Sequence, residues 1–342
     1  MSDRRRPGLA ERAWLLGVAA HRGLYASGVL PTQRLPATTL AVGALRAGGS
    51  GKSPISLLLA RSAAHRGADV LVLARGHGRA SHRPALAFDS ASTPPTDPHT
   101  LADLAATAGD EAAEVGLQLA SGPAMPGRLR WAVGRDRLAA FEAVASALRP
   151  DLVVLDDGWS HWRLRHDALV VVLAESDRIA RVLPAGPLRL PPDAIPPTAL
   201  VWHHGPIPPR PTDALASSWI TRDAADAAGR GVSLAALGPA LLICATGTPD
   251  RVARCARHDG LDLRGAITRP DHHRWTAPEA AALAARARAA NLAPVTTAKD
   301  WVKLAALWPP GPPLRWLRGD VRIDHGAAAM ERLLDTLLGA PA

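Results

Sequence analysis

The stretch AVGALRAGGSGKSP, residues 41–54, decides how the rest of the chain is read. An apolar run at 39–42 enters it, Gly48, Gly49 and Gly51 surround Ser50, and Lys52 and Ser53 open a Leu- and Ala-rich segment that reads as a helix over 53–65. Strand, glycine loop, Lys-Ser and helix in that order form a phosphate cradle. Backbone N–H groups turn inward where no Cβ obstructs them, and a helix N-terminus adds partial positive charge. Lys52 then reaches the outer phosphates, and the Ser53 hydroxyl ligates Mg²⁺. The usual spacing asks for a glycine at position 46, where this chain has Arg46. Arginine has displaced lysine almost everywhere, leaving only Lys52, Lys299 and Lys303. A compact, rotatable ammonium kept at position 52 suits phosphate better than a planar guanidinium.

Downstream the pattern alternates. Residues 69–74 read as a buried strand, which completes a βαβ unit of a parallel sheet. They end in the basic loop Arg75-Gly76-His77-Gly78-Arg79, at the carboxyl edge where open α/β sheets bind ligands. Residues 91–100 read as an irregular connection. Gly109-Asp110-Glu111 opens a helix to about residue 119, its carboxylates either dipole partners or site groups. A strand at 129–133 leads into Gly134-Arg135-Asp136-Arg137 and another helix. Residues 152–157, LVVLDD, form an apolar strand ending in Asp156 and Asp157, the place where P-loop enzymes hold Mg²⁺. Beyond a proline-dense stretch, strands at 240–245, 261–268 and 294–297 alternate with helices at 250–258, 277–290 and 327–338. Asp271-His272-His273 follows the strand at 261–268 without any second Cys/His cluster, so it suits proton transfer better than zinc.

The expected fold is therefore α/β: a P-loop-type parallel sheet flanked by helices, a second, smaller α/β lobe and an N-terminal amphipathic helix. The expected organisation is a basic amphipathic segment at 1–36, a nucleotide-binding core at 37–183, a proline-rich hinge at 184–211 and a C-terminal lobe at 212–342.

Bulk composition narrows the function. With 342 residues and 47% hydrophobic content, the chain can bury a sizeable core. Cys244 and Cys255 are too few for a disulfide framework or a zinc knuckle, so a reducing compartment fits. A net charge of +9 implies an anionic partner: nucleotide, phospholipid surface or nucleic acid. No RNA-binding signature, zinc-finger spacing or long basic helix is present, which disfavours nucleic acid. At the start, Arg4, Arg5 and Arg6 precede an apolar segment at 9–30 that Glu11, Arg12, His21 and Arg22 interrupt. Its uncharged runs fall short of the ~20 residues needed to span a bilayer. Such a helix either lies among anionic headgroups or packs on the protein's own core.

Taken in order, these motifs resemble one family, the tetraacyldisaccharide 4′-kinases of lipid A biosynthesis. The likeness runs through the basic amphipathic start, GGSGKSP, Arg75-Gly76-His77-Gly78, Gly109-Asp110-Glu111 and Gly134-Arg135-Asp136-Arg137. It continues through Asp156-Asp157-Gly158 with His161 and Asp167, then Leu183-Pro184-Ala185-Gly186-Pro187-Leu188-Arg189 and Asp271-His272-His273. Thr297-Ala298-Lys299-Asp300 with Val302-Lys303-Leu304 closes the series. The resemblance implies a monotopic enzyme at the cytoplasmic face of the bacterial inner membrane, its N-terminal helix on the membrane surface; a monomer is expected. It would transfer the γ-phosphate of ATP, with Mg²⁺, to the 4′-hydroxyl of a lipid A disaccharide 1-phosphate, its lobes closing over the nucleotide. It further implies Gly48, Gly49, Ser50, Gly51, Lys52 and Ser53 as the nucleotide loop, and Ser53 with Asp156 or Asp157 at the metal. Asp110 would be the base, tuned by His272, and Glu111, Arg135, His161 and Arg189 would line the same cleft. Departures from the family pattern fall at Ala44, Ser160, Leu190, Arg269 and Ala298. The changes at Ala44 and Leu190 leave room for a P-loop kinase with another acceptor. A membrane-associated nucleotide-binding protein without catalysis is the remaining alternative.

Overall fold

The structure is a computed structural model describing residues 7–339 apart from 78, 80, 82, 93–95, 121–122, 146–148 and 206–214. Arg4, Arg5, Arg6, Gly78 and the 206–211 part of the proline-dense stretch thus lie outside the described residues. Contacts divide the chain into two units, each assembled from separated stretches. One comprises Met1–Ala74, Ala145–Ser218 and Arg322–Ala342, the other Arg75–Val144 and Trp219–Val321.

In the first unit, five strands run parallel in the order Leu200–His204, Ala168–Leu173, Thr38–Ala44, Leu152–Asp156, Val70–Ala74. Residues 215–217 add a parallel pairing beside Leu200–His204. Leu152–Asp156 and Val70–Ala74 are buried at every position. A parallel sheet covered on both faces demands unbroken apolar runs, and this is why these strands stand out in the sequence. Thr38–Ala44 sits between the strand carrying Asp156 and the strand Ala168–Leu173, with Val42 level with Asp156. It leaves the sheet into the glycine loop, and the helix Lys52–His65 returns over the sheet on Ile55, Leu59, Ala60, Ala63 and Ala64. The helix Ala327–Leu338, with Met330, Leu334 and Leu337 buried, lies against that helix. Arg66 ties the two together through Glu331 and through Asp335 at 2.6 Å.

The helix Leu9–Ala26 belongs to the same unit and has two apolar faces. One packs inward: Leu15 joins a core cluster, and His21 and Tyr25 meet Trp162 at ring-centroid distances of 5.1 and 6.5 Å. Glu11, buried on this face, pairs with Arg181, and the Trp14 indole donates to the Arg189 carbonyl at 2.8 Å. The other face leaves Leu9, Ala13, Leu16, Ala20 and Leu24 exposed at three- and four-residue spacing. The inward face thus packs on the protein's own core, the second of the two readings of this segment. No helix among the described residues is long and apolar enough to cross a membrane. The described part of the proline-dense stretch packs into this unit as a short 3-10 turn, Pro192–Ala194, and the strand Leu200–His204.

The second unit holds parallel strands in the order Leu263–Thr268, Ala240–Cys244, Ala293–Thr297 and the 315–321 part of Arg315–His325. It also contains the antiparallel pair Ala85–Asp89 and Leu129–Val133. Helices Pro98–Ala108, Asp110–Ala120 and Ala298–Leu304 pack on one another around Leu101, Ala105, Leu117, Trp275 and Trp301.

One position tests how tightly the central strand is held. A Cβ on Gly43 would overlap that of Trp159. Gly43→Ala should therefore cost about 1–3 kcal/mol, read as a lower urea midpoint. An unchanged midpoint would mean that Trp159 moves aside freely.

Candidate active site

The glycine loop takes its shape from its backbone. Gly49 and Gly51 adopt positive φ, +66° and +84°, and Gly51 is the N-cap of the helix Lys52–His65 without any side-chain cap. The first amides of that helix are thus left to point outward toward an anion. Lys52 is 9% exposed, its Nζ 3.3 Å from Ser50 Oγ and 3.6 Å from Asp157 Oδ1. Arg46, where a glycine is usual, turns away: its Nε donates to Asp177 at 2.6 Å and its terminal nitrogen to Ser176 at 2.8 Å. The departure thus braces the loop's entrance and leaves its centre open.

Asp156 and Asp157 part company at the strand end. Asp156 is buried, with Ser53 Oγ and Ser56 Oγ each donating at 2.8 Å to one of its oxygens. Burial pushes its carboxyl above the ordinary value, against the lowering effect of the two hydroxyls and Lys52. Asp157, at φ +53°, accepts from Arg189 at 3.0 and 3.1 Å and faces Lys52. Arg189 also reaches Ser160 and the Ala47 carbonyl, and its own N–H donates to Leu45. The hydroxyl of Ser53 beside the Asp156 carboxylate is the hard-oxygen set that Mg²⁺ prefers. No group of three or more His, Cys, Asp or Glu among the described residues could hold a metal. Mg²⁺ requires none, because one or two carboxylates plus substrate phosphates serve. His161 follows in the next turn, its N–H donating to the Gly158 carbonyl.

A second cluster lies within the second unit. Asp110 begins the helix Asp110–Ala120 just after Gly109, whose φ is +99°. His272 Nδ1 meets its carboxylate at 3.0 and 3.2 Å, and Lys303 Nζ donates to it at 3.2 Å. Lys299, one helical turn before Lys303, stands 3.9 Å from Asp110 and 2.8 Å from Asp271. Fully buried Asp300 anchors this arrangement, accepting from the Ala245 N–H, the Thr297 hydroxyl and the Trp275 indole. Burial would raise the Asp110 carboxyl, but the His272 hydrogen bond and the two ammonium groups outweigh it and hold it at about 2. The same hydrogen bond lifts His272 above its ordinary value. One turn along the helix, Glu114 is pushed up to about 8 by burial. Glu111 lies beside Asp110, and Arg135 is exposed in the turn after Leu129–Val133.

Residues 9–339 match the family model for LpxK, tetraacyldisaccharide-1-P 4′-kinase. The chain belongs to that family. A tetraacyldisaccharide 4′-kinase of Anaeromyxobacter dehalogenans is 33% identical over 351 residues, covering 95% of this chain and 88% of the relative. One from Chromobacterium violaceum is 32% identical over 341 residues, covering 94% and 86%. Among solved structures, LpxK of Aquifex aeolicus in complex with ATP superposes with a TM-score of 0.70 over 96% of each chain, at 21% identity, a likeness of fold.

Within this family the substituted positions have their own surroundings. Ser160 accepts from Arg189 at 3.3 Å, Leu190 packs against a core cluster, and Arg269 lies 3.7 Å from Glu279. Lys299 and Lys303 carry no assigned role in the sequence reading, although their scarcity and four-residue spacing on the helix Ala298–Leu304 are visible there.

The Asp110–His272 pair has a definite pH signature. Asp110 lies below its ordinary 3.8, so its share of stability is present above that value and lost as pH falls through about 2. His272 lies above its ordinary 6.5, so its share is present below that value and lost as pH rises through the raised one. The pair contributes fully between pH 3.8 and 6.5. Asp110→Asn should return the His272 titration, followed by NMR, toward 6.5 or below. An unmoved midpoint would show that Asp110 does not set it.

Proposed function

We propose that the chain is a lipid-sugar kinase acting in lipid A biosynthesis at the cytoplasmic face of the inner membrane. It moves the γ-phosphoryl group of ATP to the 4′-hydroxyl of a lipid A disaccharide 1-phosphate. Family membership supports the reaction, and the Asp110 carboxylate held by His272 and Lys303 is the observation that carries its chemistry. Lys52 and the amides from Gly48 to Ser53 hold the β- and γ-phosphates. Ser53 and Asp156, with Asp157 next to them, would hold Mg²⁺, which when bound would neutralise charge on the transferred phosphoryl oxygens. The 4′-oxygen bonds to the γ-phosphorus as the bond to the β,γ-bridging oxygen breaks, and ADP leaves. Asp110 accepts the hydroxyl proton and His272 shares it. A carboxylate held at about 2 is a weak base. Phosphoryl transfer tolerates that, because its loose transition state asks chiefly for positioning and charge neutralisation. Glu111, Arg135, His161 and Arg189 contact substrate, the guanidinium groups suiting phosphate.

The exposed stripe Leu9, Ala13, Leu16, Ala20 and Leu24 supports an attachment to anionic phospholipid. Leu16→Glu, at a position 71% exposed, should lower cosedimentation with phosphatidylglycerol vesicles by about tenfold. Unchanged cosedimentation would remove the helix from membrane binding.

The reaction is tested with purified protein, Mg-ATP labelled at the γ-position and the disaccharide 1-phosphate in detergent. Label should appear at the 4′ position. Lys52→Ala should abolish it, and Asp110→Asn should cut turnover by about 10²–10⁴-fold with Mg-ATP binding intact. No transfer above the Lys52→Ala control would refute the proposal.

A further inference from the structure

One buried side chain packed against the glycine loop has no part in the scheme above. His204 ends the strand Leu200–His204 at the sheet's carboxyl edge and is 4% exposed. A Cβ built on Gly51 would stand 2.9 Å from Nε2 and 3.2 Å from Cγ of its ring. The imidazole thus fills the volume into which any other amino acid at position 51 would send its side chain. Gly51 is the left-handed residue whose conformation aims the first amides of the helix Lys52–His65. Glycine is free in both directions, so something outside the loop must hold it in one.

The ring is itself held. Its Nδ1 lies 2.9 Å from Ser217 Oγ, and the Trp202 indole donates to that oxygen at 2.8 Å. Ser217 and Trp202 are fully buried. A serine hydroxyl has one proton and two lone pairs, and the indole N–H uses one of the lone pairs. Among the described residues Ser217 has no other acceptor for its proton than His204 Nδ1.

We infer that His204 is a positioning residue of the nucleotide site, its ring oriented by Ser217 and Trp202 and bracing the Gly51 turn so that the loop amides stay aimed at the phosphates. The inference rests on the phosphate-loop reading and adds to it a residue from a separate strand. Removing the ring frees Gly51, so affinity for Mg-ATP falls while kcat and the acceptor KM stay near their original values.

The test is calorimetric binding of Mg-ATP to wild type, His204→Ala, His204→Phe, Gly51→Ala and the Gly51→Ala/His204→Ala double variant, each with a thermal melt. His204→Ala should weaken binding by about tenfold, equivalent to about 1.4 kcal/mol. His204→Phe restores the brace, so it should bind Mg-ATP nearly as wild type yet melt earlier, because the Ser217 hydroxyl loses its acceptor. A merely structural role would move affinity and melting together. In the double variant the Cβ at position 51 takes the vacated space, so binding should recover part of what Gly51→Ala loses. Should His204→Ala fail to fold, His204→Asn replaces it with the same expected loss, since it reaches Ser217 but leaves the space beside Gly51 empty. Wild-type affinity in a folded His204→Ala, or equal losses in the Ala and Phe variants, would overturn the inference. Wild-type protein that takes up no Mg-ATP would instead overturn the phosphate-loop reading itself, and this inference with it.

Discussion

A carboxylate at the end of one strand holds the first turn of a helix that starts from the next. Asp156 accepts hydrogen bonds from the hydroxyls of both Ser53 and Ser56, so the helix Lys52–His65 is fixed to the strand Leu152–Asp156 beside its own. Burying that charge is unfavourable, as the upward push on its carboxyl records, and the two hydroxyls offset the cost. The glycine turn ahead of the helix inherits its position from this contact. Lys52, Asp157 and Arg189 are then placed by their chain neighbours around the same point.

The second cluster solves a different electrostatic problem. Asp110 must stay ionised while buried, and one imidazole with two ammonium groups keeps it so. Those ammonium groups need a foundation of their own. Asp300 supplies it by accepting from a backbone amide, a threonine hydroxyl and an indole, which fixes the helix Ala298–Leu304 that carries both lysines. Glu114 accepts from the Gln118 amide at 3.0 Å, but burial outweighs the pull of Lys299 and its carboxyl rises instead of falling. Two carboxylates one helical turn apart are thereby driven in opposite directions by what surrounds them.

Much of this could be read from the residues, and the reasons for success and failure are physical. The strands Leu152–Asp156 and Val70–Ala74 are buried on both faces and appear as apolar runs, the first ending in Asp156. Leu215–Ala225 and Arg315–His325 mix buried and part-exposed positions without a two-residue period and carry charges, so composition hides them. The glycine loop is local in sequence and needs only spacing to be seen. Asp110 and His272 stand 162 positions apart, and no periodicity connects them; the family resemblance supplied that pairing. His204 ends a strand inside a stretch whose proline content suggested a connection, and nothing in LVWHH announces a contact with Gly51. Arg46 shows the limit of a motif: its identity breaks the pattern, yet its side chain leaves the loop for Asp177.

The bond between Arg66 and the helix Ala327–Leu338 has a consequence for biosynthesis. Arg66 sits at the end of the glycine-loop helix, and its partners Glu331 and Asp335 lie 265 and 269 residues further along. At a ribosomal pace of about 5–20 residues per second, the nascent helix waits roughly 13–50 s for its cover. Through that interval its outer side is available to chaperones and to neighbouring nascent chains. Premature termination near codon 326 would delete none of the nucleotide loop, yet would strip the flank against which its helix rests.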